Sequence, residues 1–319
     1  MAARVARRVW LVHSGRQLGT FAGLLTLCLI LLAATPHFLT ISNLLNVLEQ
    51  TALNAVVAVG MTFVIISGGI DLSVGSVLAF AGIVLGLALE AGIPPPVAIA
   101  LALAVGLACG LANGVLITLG RLPPFIATLG MMSVARGGAL MMAEGRPISG
   151  FSETFRRLAT ERVLMIPAPV IITALIYAIA HFVLAHTVFG RATYAIGGNE
   201  EAARLSGVQV RFHKTAIYGV AGLMSAAAAV ILTARLNSAQ PTAGIMYELD
   251  AIAATVIGGS SLLGGEGSLT GTLIGALIMG VLRNGLNLLN VSSFVQQVVI
   301  GVVIIGAVLV DMSLKRRRR

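Results

Sequence analysis

TALNAVVAVGMTFVIISGGIDLSVGSVLAFAGIVLGLALE, residues 51–90, holds two charged side chains in forty positions, Asp71 and Glu90. Each apolar half approaches the roughly 20 residues that a helix needs to cross a bilayer. Between them stands S-G-G-I-D-L-S (67–73), where the glycines Gly68 and Gly69 break the helical pattern and an acid follows two residues later. Irregular backbone at membrane depth is tolerated only where protein or a water-filled cavity receives its polar groups. The stretch therefore reads as two spanning helices joined by a buried, glycine-broken turn.

The rest of the chain follows the same rule. Of 319 residues, 57% are hydrophobic and 10% charged, and the mean hydropathy is +0.98. Soluble domains carry about 25% charged residues, so the chain is an all-α polytopic membrane protein forming one transmembrane domain over 1–319. Ten spans are expected: 18–34, 45–67, 72–90, 96–119, 123–143, 167–189, 214–235, 250–263, 268–289 and 294–312. The first follows Arg7-Arg8 like an export signal, but its 17 apolar residues (18–34) exceed a removable core of about 7–15, and it reads as a retained helix. The net charge of +9 reflects basic clusters at the two ends, Arg4, Arg7, Arg8 and Arg16, then Lys315 and Arg316 to Arg319. Such clusters favour the cytoplasmic face beside anionic lipid, which places both termini inside and requires an even number of spans. No nucleic-acid partner is implied. Cys28 and Cys109 lie in apolar runs and read as packing residues.

Segment 64–86 is echoed by TVIGGSSLLGGEGSLTGTLIGALIMG (255–280): an apolar run, Gly-Gly, a polar turn, Gly-Ser and another apolar run. Repeats with glycine-interrupted helices are common around transport pathways. The expected spans put both copies in the same orientation. Polar groups within the spans supply the candidates for a solute path or gate: Gly68, Gly69, Asp71, Ser73, Asn113, Arg136, Asn284 and Asn287. Asp71 suits either that role or the capping of a helix beginning at Leu72. Arg136 and Arg283 suit a helix C-terminus or Asp71 as partner as well as they suit solute. The neutral amides fit an uncharged hydrophilic cargo and also ordinary interhelical bonding.

The chain holds two lysines, Lys214 and Lys315, neither preceded by glycine, so the G-x-x-x-x-G-K-[ST] phosphate loop is absent. His181 and His186 are five apart, unlike a metal-binding pair at i, i+4. The chain is read as no enzyme, without cofactor or metal of its own. Any ATP that drives it is hydrolysed by another subunit. One polar island remains, GGNEEAARLSGVQ (197–209). Asn199 caps a helix start, Glu200 and Glu201 suit its first turn, Ala202, Ala203 and Leu205 offer a small apolar face, and Gly207 ends it. Two turns are too short to be stable alone. In the expected topology this island is cytoplasmic.

E-A-A-R-L-S-G (201–207) resembles the E-A-A-x-x-x-G signature of the permease subunits of bacterial ABC importers. Glu201, Ala202, Ala203 and Gly207 occupy the signature positions, with Arg204 among the intervening residues. SGGIDLSVGS (67–76), GRATYAIGGNEEAARLSGV (190–208) and VIGGSSLLGGEGSLTGTLIGALIMGVLRNGLNLL (256–289) resemble the ribose/xylose/galactose type of that family, over about residues 40 to 312. A related group carries branched-chain amino acids, and a self-sufficient secondary carrier is the reading outside the family. The resemblance implies a coupling helix in a cytoplasmic loop at about 190–213 that docks on an ABC ATPase subunit, where ATP and Mg are bound. It also implies a second permease chain, a periplasmic or lipid-anchored solute-binding protein, a small sugar as cargo, and the inner membrane as location. The outer loop 144–166, with mixed Arg and Glu, is the candidate surface for the binding protein.

Overall fold

The computed structural model describes residues 19–316, apart from a few side chains near the C-terminal end, so the basic clusters read at the termini lie outside the described side chains. Helices dominate. They are α1 (Gly19–Ala34), α2 (Ile41–Ile66), α3 (Val74–Glu90), α4 (Pro95–Thr118), α5 (Pro124–Met142), α6 (Glu153–Thr160), α7 (Ala168–His186), α8 (Val188–Gly198), α9 (Glu200–Leu205), α10 (Val210–Leu236), α11 (Tyr247–Ile257), α12 (Leu269–Leu288) and α13 (Ser293–Arg316). Two-residue strands form two small antiparallel pairs, β1 (Ile148–Ser149) with β4 (Ser238–Ala239), and β2 (Arg162–Val163) with β3 (Ile166–Pro167). Proline opens α4, α5 and α7, where its missing N–H removes no helical bond.

Among the described residues six helices, α2, α4, α5, α7, α10 and α12, are long and apolar enough to cross a membrane, and α1, α3 and α13 supply shorter apolar segments. The segment expected as a span at 250–263 is different. α11 has 11 residues, about 16 Å of helix, half of what a crossing needs. The residues before it were expected in an outer loop, 236–249. Instead they thread back into the bundle. Ala239 lies against Gly86 near the end of α3, and Gly244 lies against Gly75 at its start. Polar backbone cannot be left bare there, and Arg136 on α5 donates from Nη1 to the carbonyls of Pro241 and Ala243, 2.7 Å each. Neither a helix C-terminus nor Asp71 is its partner. The apolar run at 250–263 looks like a span because composition records depth, and an extended strand leading to a half-helix reaches the same depth.

α2 and α10 form the centre, buried along most of their length. α10 packs on α4 through a seam of small residues. Gly106, Gly110 and Gly114 face Gly222, the Tyr218 carbonyl and Thr215, so closely that a side chain at any of the three would strike backbone. Lipid offers no hydrophobic force to drive helices together, and close van der Waals approach through such small-xxx-small faces takes its place. On the other side α2 runs antiparallel to α12, with Thr62 bonded to Thr272 at one end and Asn43 to Asn284 at the other. α11 is also antiparallel to α12, with Gly258 against Gly271 and the Ala254 carbonyl against Gly275. The two echoing segments, α2–α3 and α11–α12, therefore run in the same direction and place their breaks at the same end.

Candidate functional site

At that end the polar island forms a two-helix handle. α8 follows α7 directly, and Thr187 caps it by accepting from the Gly190 N–H at 3.3 Å. Asn199 ends α8 and begins α9, its side chain accepting from the Ala202 N–H at 2.9 Å. α9 closes in a Schellman turn: the Val208 N–H reaches the Ala203 carbonyl and the Gly207 N–H the Arg204 carbonyl, 3.1 Å each. Gly207 sits at φ +87°, a conformation only glycine adopts without cost. Glu200 accepts from Lys214 on α10 at 2.6 Å, which ties the short helix to the bundle. Glu201 receives two bonds from Arg204, Nε at 3.1 Å and Nη2. The hydrogen bond and charge of Arg204 hold the Glu201 carboxyl below its ordinary pKa, and the pair stays charged and solvent-facing.

The apolar face expected for α9 is narrower than the sequence suggests. Ala203 alone is buried, against Ile196 and Val210, whereas Ala202 is exposed and Leu205 is 78% exposed. Phe212 at the start of α10 is also exposed, at 65%. α9 thus turns Leu205 away from the bundle.

The inner side of the handle meets the bundle through backbone. A side chain at Gly197 would run into the Ile66 carbonyl and the Gly265 N–H, and Gly264 packs on Gly197 and Gly68. The Gly265 N–H donates to the Ile66 carbonyl at 2.8 Å, joining the second break to the end of α2. The Tyr194 hydroxyl donates to the Gly267 carbonyl at 2.8 Å, and the Phe189 ring lies 6.1 Å from that of Phe63. The handle thus touches both glycine breaks at once.

Asp71 lies at the first break, 1% exposed. Its Oδ1 accepts from the Ser73 N–H at 2.8 Å and the Ser73 hydroxyl at 2.6 Å, and Asn113 on α4 donates to the Ser73 oxygen at 2.9 Å. The helix begins at Val74 rather than Leu72, so Asp71 closes the turn two residues before the cap position. Of the eight candidates for a solute path, Gly68, Gly69, Asp71, Ser73 and Asn113 cluster here. Asn284 and Asn287 lie at the opposite end, paired with Asn43 and Gln296, and Arg136 holds the threaded strand. They do not form one site.

Sequence reasoning missed a second polar centre. The Arg283 Nη2 donates to both oxygens of Asp250, at 2.8 and 3.0 Å, and Asn54 near the middle of α2 adds a bond at 3.4 Å. Asp250 stands in the first turn of α11, not at a membrane boundary. The one available signal was Arg283 inside an apparent span, an arginine that needs an acid as partner.

The chain matches the family described as "Branched-chain amino acid transport system / permease component" over residues 43–308. It is 54% identical over 298 residues to the ribose import permease protein RbsC of Bacillus subtilis (strain 168), covering 93% of this chain and 92% of that one. The chain belongs to this permease family. The ribose import permease RbsC of Escherichia coli (strain K12) is 48% identical, with 97% and 96% of the two chains covered. The L-arabinose transport system permease AraH of the same strain is 39% identical, with 98% and 94% covered. No solved structure matches the chain. The protein is a permease component of a transport system, like the import permeases it is similar to. It is a multi-pass protein of the inner membrane.

Proposed function

We propose that the chain carries a ribose-like monosaccharide or related polyol inward, as one of two permease chains driven by a pair of ABC ATPase subunits. In this reading the handle end of the bundle and both termini face the cytoplasm, and ATP and Mg are bound by the ATPase alone. The nine apolar helices among the described residues, and the half-helix α11 with its threaded strand, stand for the ten expected spans. A solute-binding protein delivers the sugar to the opposite end, where the loop 144–166 lies. Its hairpin tip, Leu164 and Met165, is 90% and 72% exposed, and the Glu153–Arg157 pair of α6 lies beside it in sequence.

The observation that carries the reading is the handle: one face presents Leu205 and the Glu201–Arg204 pair to solvent, while the other rests on both glycine breaks. A rigid-body shift of α8–α9, driven by closure of the ATPase pair, is then passed to the breaks on which the handle rests. The relatives named for ribose and arabinose support a sugar over a branched-chain amino acid as cargo. The test is Glu201→Lys, which reverses the charge of an exposed residue and touches nothing in the core. ATP-dependent ribose uptake by the complete transporter in vesicles is expected to fall at least tenfold with membrane insertion unchanged. Uptake at the wild-type rate would remove α9 from the coupling role.

A further inference from the structure

The missed pair, Asp250 and Arg283, borders a cavity of about 350 Å³ between α11, α12 and α13. That volume lies within the range of small-molecule sites, roughly 300–1,000 Å³. Beside the ion pair its wall holds Gln296, Gln297 and Ser293, with Ile300 and Met246 as apolar surface. The cavity opens at the surface, where Ile245, Ser293 and Gln297 are exposed, and reaches inward to the buried Asp250. Asp250 bonds to Asn54, close to midway along α2, and the half-helix α11 begins at the cavity after the threaded strand. Met246 makes the turn into α11 at φ +71°, a left-handed backbone that a methionine adopts only under constraint.

A charge pair at membrane depth is costly, and such residues pair with one another and face the bundle interior or a cavity. Here Asp250 is 3% exposed while Arg283 remains 36% exposed. Among the described residues Arg283 uses only Nη2 in hydrogen bonds, so Nε and Nη1 remain as donors. Gln296 spends its amide N–H groups on Asn287 and the Val291 carbonyl, leaving Oε1 as an acceptor. Donors and acceptors thus stand side by side with a net charge of zero. An anion gains nothing from an arginine already neutralised. A neutral polyol fits, because each hydroxyl both donates and accepts, and Ile300 and Met246 suit the C–H face of a ring.

We propose that this cavity is a solute-binding subsite of the translocation path for a neutral monosaccharide, held by Arg283, Asp250 and Gln296. The proposal rests on the sugar-importer reading above. Gly301 lines the cavity and has open space where a side chain would stand, as does Gly306 on the same helix outside the cavity. Ribose uptake and ATP hydrolysis stimulated by the loaded binding protein are measured for the full transporter carrying Gly301→Trp or Gly306→Trp. Filling the cavity with Gly301→Trp is expected to cut uptake at least tenfold while ATP hydrolysis persists, and Gly306→Trp to leave both near wild type. Gln296→Ala, which opens no large void, is expected to cut uptake at least threefold, again with hydrolysis retained. Wild-type uptake in Gly301→Trp, or equal loss in both tryptophan variants, overturns the subsite. A wild-type transporter that moves no pentose but moves leucine overturns the sugar reading itself.

Discussion

The two glycine breaks occupy matching places in the echoing segments and are closed by different means. The first, 67–73, is anchored outward: the buried Asp71 carboxylate holds Ser73, and Ser73 is held in turn by Asn113 of α4. The second, 258–268, combines bonds within itself with ties to α2 and α8, through the Gly265 N–H and the Gly267 carbonyl. The Ser261 N–H reaches the Glu266 carbonyl at 2.9 Å, the Gly264 N–H the Ser261 carbonyl at 3.0 Å, and Ser268 caps α12 by accepting from Gly271 at 3.1 Å. Leu263 at its tip is 72% exposed. The first break is tied through Ser73 to α4, while the second is tied through Gly265 to α2 and through Gly267 to α8 of the handle. In the proposed motion the second break, bonded to α8 through Tyr194, follows the handle, and the first, held by Asn113 of α4, is the side that stays.

Gly197 is where the two sides meet, and its replacement has the largest expected effect. In Gly197→Val the new side chain strikes the Ile66 carbonyl and the Gly265 N–H, both backbone atoms that cannot rotate away. The handle is forced off the breaks. Uptake is expected to fall more than tenfold, while the ATPase still co-purifies because the exposed face of α9 is unchanged. Normal uptake would show that motion reaches the bundle by another route.

Asp71 comes next. Asp71→Ala leaves the Ser73 N–H and hydroxyl without their acceptor in a buried place, each costing about 1–3 kcal/mol. Asp71→Asn keeps an oxygen for one or both and is expected to lose less than half as much. Thermal unfolding of the purified permease in detergent checks the order. Equal losses would mean that the charge, rather than the acceptor, matters to the turn.

Much of this joint was legible in the residues. Asn199, Glu201 and Gly207 stand at the cap, first turn and end of α9 because local backbone chemistry sets those preferences, and that chemistry needs no tertiary partner. The breaks were legible for the same reason. Long-range partners were not. Arg136 was read toward a helix end, Asp71 or solute, and it serves the carbonyls of a threaded strand 105 residues away. Span 250–263 was read from hydropathy alone, which does not tell an extended segment plus a half-helix from a full crossing. Leu205 was assigned to an apolar face because spacing shows which residues share a side, not whether anything covers it. Asp250 looked like a boundary residue for the same reason that 250–263 looked like a span.

The smallest expected effect belongs to the second break. In Ser268→Ala the Gly271 N–H loses its side-chain acceptor, and loss of such a cap costs about 1 kcal/mol. That is less than the expected loss in Asp71→Ala, because water or a slightly tightened first turn can satisfy the freed N–H of a partly buried cap. If the second break moves as a unit, the loss appears in thermal stability and uptake stays within about twofold of wild type. Hydrogen exchange distinguishes the two breaks directly. Ser268→Ala is expected to speed exchange at 258–271 without changing 67–77, whereas Asp71→Ala speeds exchange at 67–77 and in α4 around Asn113. Spread of the Ser268→Ala effect into 67–77 would show that the breaks are held as one body, and that neither side is free to move while the other stays.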